Sequence, residues 1–278
     1  MMKRLLFSLT AILLFAGCNK DKGERFVTPV ELAGKWSSYE YVENGTVRPV
    51  SLAEELSYWE FNADGKTYIE YDYYNNRTYR WEYSLENNVI STPDGSETLR
   101  WPISNFTGDA FTLQSGNYRI RFRRSQNQQM LFLAPSVNFG ATAAQIKQEE
   151  RRTFIREDEN GLGYGGSNAI EQGVAYLLEN GRMNSAALLL SLSVDPKELV
   201  DFLQIDCKVL GQTEDFLVFE SRDAKYQVIL GVEASGVMLV YIEPLTGRSK
   251  TGDADDRACI IEQGRRIFED IKRRVDWE

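Results

Sequence analysis

The chain has 278 residues, with 41 acidic against 32 basic side chains, a formal net charge of −9 and no histidine. An acidic chain argues against a nucleic-acid partner, because phosphates select basic surfaces. The missing histidine removes Ser-His-Asp and Cys-His catalysis and the usual zinc ligand, so no catalytic residue and no cofactor is predicted.

Met1–Arg4 is a short basic stretch and Leu5–Phe15 an apolar run. Its length suits the core of a cleavable signal over residues 1–17 and is too short to span a bilayer. Small residues Ala16 and Gly17 then precede Cys18. Phe15-Ala16-Gly17-Cys18 resembles the lipobox of bacterial lipoproteins, with Phe15 where Leu is commonest. The resemblance implies cleavage before Cys18, a diacylglycerol thioether on its sulfur, and a membrane partner reached through that lipid. Two or three acyl chains anchor firmly where one holds only marginally. The alternative is an ordinary signal peptide with an incidental cysteine.

Residues 18–27 read as a charged, flexible tether. Charged residues at this place resemble the surface-export signals of one group of Gram-negative lipoproteins. The expected location is the outer membrane, facing the periplasm or the surface. No later run approaches the about eighteen apolar residues of a membrane-spanning helix.

From residue 28 to 125 the pattern is antiparallel β. In Asn117–Arg123, Tyr118, Ile120 and Phe122 alternate with the arginines, and Arg77–Tyr83 repeats this with Tyr79, Trp81 and Tyr83. Asn44-Gly45, Asp64-Gly65, Asn75-Asn76, Asp94-Gly95 and Ser115-Gly116 are tight-turn signals between strands. Many short strands at this spacing predict a barrel or sandwich.

Leu32-Ala33-Gly34-Lys35-Trp36, then Tyr58–Gly65, then Tyr118–Arg124 resemble, in that order, the short lipocalin-like domains of bacterial lipoproteins. The resemblance implies a small antiparallel β-barrel with Gly34 and Trp36 as the plug of one end. A basic side chain from the last strand, Arg121 or Arg123, would lie across the Trp36 ring. The fold also implies a non-catalytic binding protein for a small apolar molecule or a glycan, with Trp59, Tyr71 and Trp81 as candidate ligand contacts. A barrel this short can equally be filled by its own side chains. Cross-strand aromatic pairing by itself accounts for much of the aromatic content.

Residues 126–137 are polar at the start and read as a linker. Over 138–278 a pattern occurs twice. A helix at Ala141–Arg151 precedes strands at Arg152–Glu157, Gly161–Gly165, Glu171–Glu179 and Ser185–Ser193, with a turn at Asn180-Gly181. A helix capped by Asp195 and begun by Pro196 runs through Lys197–Phe202. Strands follow at Cys207–Gly211, Phe216–Ser221, Tyr226–Glu233 and Val237–Pro244. Two helix-plus-four-strand units predict one curved eight-stranded sheet with helices on one face. That architecture loosely resembles β-lactamase-inhibitor-like and TATA-binding-like folds, which implies an alternative function: an envelope-protein interaction or inhibitory module using the curved sheet. A last amphipathic helix, Asp255–Val275, is read as docked on the sheet.

Gly161–Gly166 lacks the strand-before, helix-after setting of a dinucleotide loop, and Gly247–Gly252 lacks the ending of a phosphate loop. Glu157-Asp158-Glu159 and Asp253-Asp255-Asp256 lack calcium-loop spacing, so no metal is predicted. Cys207 and Cys259 permit a disulfide in an oxidising compartment; two separate buried thiols are the other reading.

Overall fold

The computed structural model describes residues 25–213, 216–245 and 254–275. The signal segment, Cys18, most of the tether, the 247–252 glycine-bounded loop and Asp253 lie outside the described residues.

Two sheets organise the rest. The first part runs α1 (Pro29–Leu32), β1 (Gly34–Glu43), β2 (Thr46–Pro49), α2 (Leu52–Leu56), β3 (Tyr58–Phe61), β4 (Thr67–Asp72), β5 (Arg77–Glu82), β6 (Ser84–Glu86), β7 (Val89–Asp94), β8 (Glu97–Ser104), β9 (Ala110–Ser115) and β10 (Tyr118–Arg124). These strands form an antiparallel sheet in the order β5-β4-β3-β1-β10-β9-β8-β7-β6, with β2 folded back on β1. The sheet curls into a nearly closed barrel, and its two end strands, β5 and β6, are not joined by a ladder. Asn44-Gly45 takes φ of 50 and 81°, as a two-residue hairpin turn needs, and glycines 65, 95 and 116 also have positive φ.

Strand parity decides which side chains fill this barrel. Trp36, Trp59, Phe61, Tyr68, Phe111, Ile120 and Phe122 share one apolar cluster. The opposite face of β3 and β4 presents Tyr58 and Tyr71 to α2 and Met130. Both short helices open with a reciprocal cap, Thr28 with Glu31 and Ser51 with Glu54. Each matches the Ser/Thr-x-x-Glu signature in the sequence, although neither helix is long enough to show an apolar period.

The second part contains α3 (Ala143–Glu149), β11 (Phe154–Asp158), β12 (Gly161–Gly165), β13 (Glu171–Glu179), β14 (Arg182–Leu190), α4 (Pro196–Asp206), β15 (Cys207–Gln212), β16 (Phe216–Ser221), β17 (Gln227–Glu233), β18 (Gly236–Ile242) and α5 (Ala254–Arg274). The sheet order β11-β12-β13-β14-β18-β17-β16-β15 is that of two four-strand meanders meeting through their last strands, the duplicated architecture expected from element order. Asp195 caps α4 through the Glu198 amide at 2.9 Å, with Pro196 in the first turn. The helix continues past Phe202 because Leu203 carries the apolar stripe of Leu199 one turn further. β14 begins at Arg182, earlier than the composition suggests, because the Asn180-Gly181 turn takes only two residues.

α3 and α4 pack on one face of this sheet with Tyr176, Leu188, Leu239 and Tyr241. α5 packs on the other face, where Phe268 and Ile271 meet Ala187, Ile229 and Val240. Burial on both faces explains the unbroken apolar run of β18.

Two further expectations change. Residues 126–137 are not a free linker: Leu131 and Phe132 are buried in the second core. Cys207 is buried at the start of β15 while Cys259 is exposed on α5, and both are free thiols, so the bridge is absent and only one of the two is buried.

The parts join through a buried polar network. Tyr73, in the β4–β5 turn, donates to Glu171 Oε1 at 2.9 Å and bonds the Ser167 hydroxyl at 2.7 Å. Glu171 Oε2 accepts from Arg152 Nε at 3.0 Å, and the same guanidinium meets Glu150. Burial opposes ionisation of Glu171. The Arg152 charge and the Ser167 and Leu133 amides outweigh it and hold the carboxyl below the usual range.

Candidate functional site

Gly34 and Trp36 sit where α1 leads into β1. Trp36 is fully buried, donates its Nε1–H to Leu32 O at 2.7 Å and lies edge-on to Phe111 at 4.7 Å. The cation over its ring is Arg124, 3.8 Å from the centroid, and not Arg121 or Arg123. Register explains the correction. Trp36 pairs directly with Arg124 on β10, so the two share a face, while residues of odd number there point outward. Arg121 instead pairs with Glu40, and Arg123 with Glu55. Arg124 also donates from Nε to Gly108 O at 2.9 Å and from Nη2 to Glu31 O at 2.7 Å. Gly34 has φ +110°, and a Cβ there would come within 2.8 Å of Arg124 Nη1. The glycine of Gly-x-Trp thus makes room for the guanidinium that covers the tryptophan.

Above this closed end a cavity of about 210 Å³ lies between α2, β1, β3, β4 and β10. Tyr41, Trp59 and Tyr71 give it aromatic walls, and Glu54, Glu70 and Asp72 line it with carboxylates. Trp59 is wedged against Phe122 at 5.1 Å and Tyr68 at 5.3 Å, so its ring is held in place. Tyr71 is fully buried and its hydroxyl donates to Met130 O at 2.7 Å while accepting from Met130 N at 3.1 Å. Burial pushes that hydroxyl up to about 12, so it stays protonated. Glu54 is clamped by both terminal nitrogens of Arg48, at 2.9 and 3.1 Å, and that bond first of all keeps its carboxyl low. Glu70 accepts from Trp81 Nε1 at 2.8 Å, and Asp72 Oδ1 accepts from the Asn75 amide at 3.2 Å. Asp72 Oδ2 also accepts from Asn75 Nδ2 at 2.6 Å; each carboxyl oxygen has two lone pairs, so both groups keep capacity for a guest.

Of the three candidate contacts, the structure brings Trp59 and Tyr71 to one cavity. Trp81 stands outside it. Its position opposite Tyr68 gives it the inward parity of β5, yet it is 40% exposed, because the wall is unclosed between β5 and β6. Tyr79 stacks beside it at 6.1 Å. Trp81 touches the cavity only through Glu70. The carboxylates were missed in the sequence. Glu54 is marked by its capping box, whereas Glu70 and Asp72 carry no local signal. A larger trough of about 550 Å³ crosses the seam between Lys66, Glu82, Ser91 and Thr98, but it is an open surface feature without an exposed ring.

The chemistry of the 210 Å³ cavity is selective. Its volume is below the roughly 300–1,000 Å³ of drug-sized pockets, so it suits one small ring rather than a long acyl chain. Its carboxylates repel an anionic head group and accept from hydroxyl or ammonium donors.

The family model of a lipocalin-like domain matches residues 32–113, so the N-terminal part of the chain carries such a domain. No curated protein matches the chain. Two solved structures are similar to part of it: a lipocalin-like protein from Bacteroides uniformis ATCC 8492 and an uncharacterized protein from Bacteroides eggerthii DSM 20697. Each shares 17% identity, covers 34% of this chain and 99% of its own, and has a TM-score of 0.29.

Proposed function

We propose that this chain, whose N-terminal part is a lipocalin-like domain, is a lipid-anchored binding protein of the cell envelope that holds a single glycan ring in the barrel cavity. The fold is generally a non-catalytic binding scaffold. The observation that carries the ligand class is the pairing of the fixed Trp59 and Tyr41 rings with the Glu70 and Asp72 carboxylates around one small cavity. Rings stack on the apolar face of a sugar, and carboxylates accept from its hydroxyls. The small volume and the acidic lining speak against the apolar ligand. The signal segment and Cys18 support the anchor, which would tether the barrel at the outer membrane.

Titration with a panel of neutral monosaccharides, followed by tryptophan emission and calorimetry, tests the site. A saturable change is expected, abolished in Trp59→Leu and weakened in Glu70→Gln, with the Glu70 variant keeping the parent's melting temperature. If no sugar binds, or binding survives both changes, the glycan assignment fails. Incorporation of labelled palmitate, lost in Cys18→Ala, tests the anchor.

A further inference from the structure

A second pocket lies against the other sheet. It measures about 370 Å³ and sits between residues 128–134, the last turn of α4 and strands β15, β17 and β18. Phe132, Leu203, Val228 and Tyr241 are its buried walls, and Phe202 packs edge-on to Phe132 at 4.8 Å. The volume falls in the roughly 300–1,000 Å³ range of small-molecule pockets, and apolar lining with few polar groups is what such pockets show.

Two polar groups reach into the apolar wall. Cys207 is 3% exposed, with Sγ 3.9 Å from the Tyr226 hydroxyl. Burial pushes the thiol and the phenol up, so at neutral pH both are uncharged; the thiol donates to the Tyr226 oxygen, which leaves the phenol O–H as the donor for a guest. The same shift makes the thiol a poor nucleophile, so the contact it offers is non-covalent. The mouth carries Ile205, 63% exposed, beside the Asp206 carboxylate and the amides of Gln128 and Gln129. An exposed isoleucine there favours an apolar guest, and the carboxylate disfavours an anionic one.

We infer that this cavity is a second binding site, for a neutral, largely apolar ring compound that presents one hydrogen-bond acceptor to the Tyr226 hydroxyl, which itself accepts from Cys207. It is chemically the opposite of the barrel cavity, which is small and acidic. The two are linked through Tyr71, whose ring lines the barrel cavity and whose hydroxyl holds the backbone of Met130, a wall of the second site.

The test uses the full chain and two fluorescent probes: neutral N-phenyl-1-naphthylamine, and cis-parinaric acid, which is apolar with a carboxylate. The neutral probe should bind saturably at one site per chain and the acid more weakly. Ala134 is an exposed rim residue, so Ala134→Trp should narrow the mouth without disturbing the core. It is expected to weaken the neutral probe by about tenfold or more, a difference of about 1.4 kcal/mol per decade. Ile205→Arg at the same mouth gives the same reading should Ala134→Trp fail to fold. Trp59→Leu, in the barrel, should leave probe binding unchanged, which separates failure here from failure of the glycan reading. Bound probe should also slow iodoacetamide labelling of Cys207, read peptide by peptide, and leave exposed Cys259 unaffected. Failure of the probe to bind, parent-like binding by both mouth variants, or loss of binding in Trp59→Leu overturns the inference.

Discussion

In the barrel-like sheet the core is aromatic and the wall is left unclosed; in the eight-stranded sheet the core is largely aliphatic and helices pack on both faces. Trp36, Trp59, Phe61, Tyr68, Phe111 and Phe122 fill the first as a chain of ring contacts. Leu188, Leu239, Ile229 and Val240 fill the second between two helical layers. Large rings meeting at angles leave an irregular remainder, and in the barrel that remainder is the 210 Å³ cavity. Aliphatic side chains between regular layers pack more evenly, and an apolar space is left beside the irregular 128–134 segment. Each sheet holds a cavity where its own packing rule breaks down.

The largest effect is expected at the junction, which belongs to neither core. Arg152→Met leaves Glu171 and Glu150 buried without their cation, a loss of about 3–5 kcal/mol for a broken buried pair. The pH dependence should change sign as well. In the parent, Glu171 is held below its ordinary value of 4.5, so its contribution is complete above that range and lost as pH falls through its lowered value. Without Arg152 burial dominates and raises the carboxyl, so stability should fall as pH rises through the range just above 4.5. Urea midpoints between acid and neutral pH report this. Equal slopes in parent and variant would show that Arg152 does not govern the charge of Glu171.

Next in size is the barrel plug. Arg124→Ala removes three backbone hydrogen bonds and the cover of Trp36. Bonds to a charged group contribute about 1.5–3 kcal/mol, so a loss of at least about 2 kcal/mol is expected. Arg121→Ala breaks one half-exposed pair with Glu40 and should stay within about 1 kcal/mol. Equal losses in chemical denaturation would undo the assignment of Arg124.

The second sheet answers to a backbone test. A Cβ at Gly231 would lie 2.4 Å from Phe268 Cζ, so Gly231→Ala pushes α5 off its face. Overpacking of this kind costs about 1–3 kcal/mol. Proteolysis should then cut before α5 sooner than in the parent, while the barrel's tryptophan emission stays the same. A barrel response would mean that the two cores are less separate than their packing suggests.

These sites differ in how far local pattern reveals them. The inward parity of β10 is written in Tyr118, Ile120 and Phe122, and carrying it one step further reaches Arg124; a strand ended at Arg123 stops short of it. The duplicated second sheet follows from element order because each unit is local, a helix and then hairpins. Which face α5 takes does not follow, since its stripe of Ile260, Gly264, Ile267, Phe268 and Ile271 would suit either side. The barrel cavity is least legible. Glu54 reaches it through α2, Glu70 and Asp72 through β4, and Tyr41 through the shifted register near Glu40. No window of sequence contains them all.

The smallest effect is the one that best tests the boundary between the sheets. Tyr73→Phe deletes one hydroxyl, leaving Glu171 with Arg152 and the amides of Ser167 and Leu133. A single lost hydrogen bond is worth about 0.5–1.5 kcal/mol, too little to unfold either core. What should change is local opening, because Tyr73 and the neighbouring Ala169–Tyr74 backbone bond are contacts between the parts. Hydrogen exchange should quicken together at the amides of Tyr73 and Ala169, on both sides of the junction, and stay unchanged at Trp36 and Leu239 deep in the cores. Faster exchange on the second-sheet side alone would assign the network to that sheet, and would make the barrel a unit that leans on the junction without helping to hold it.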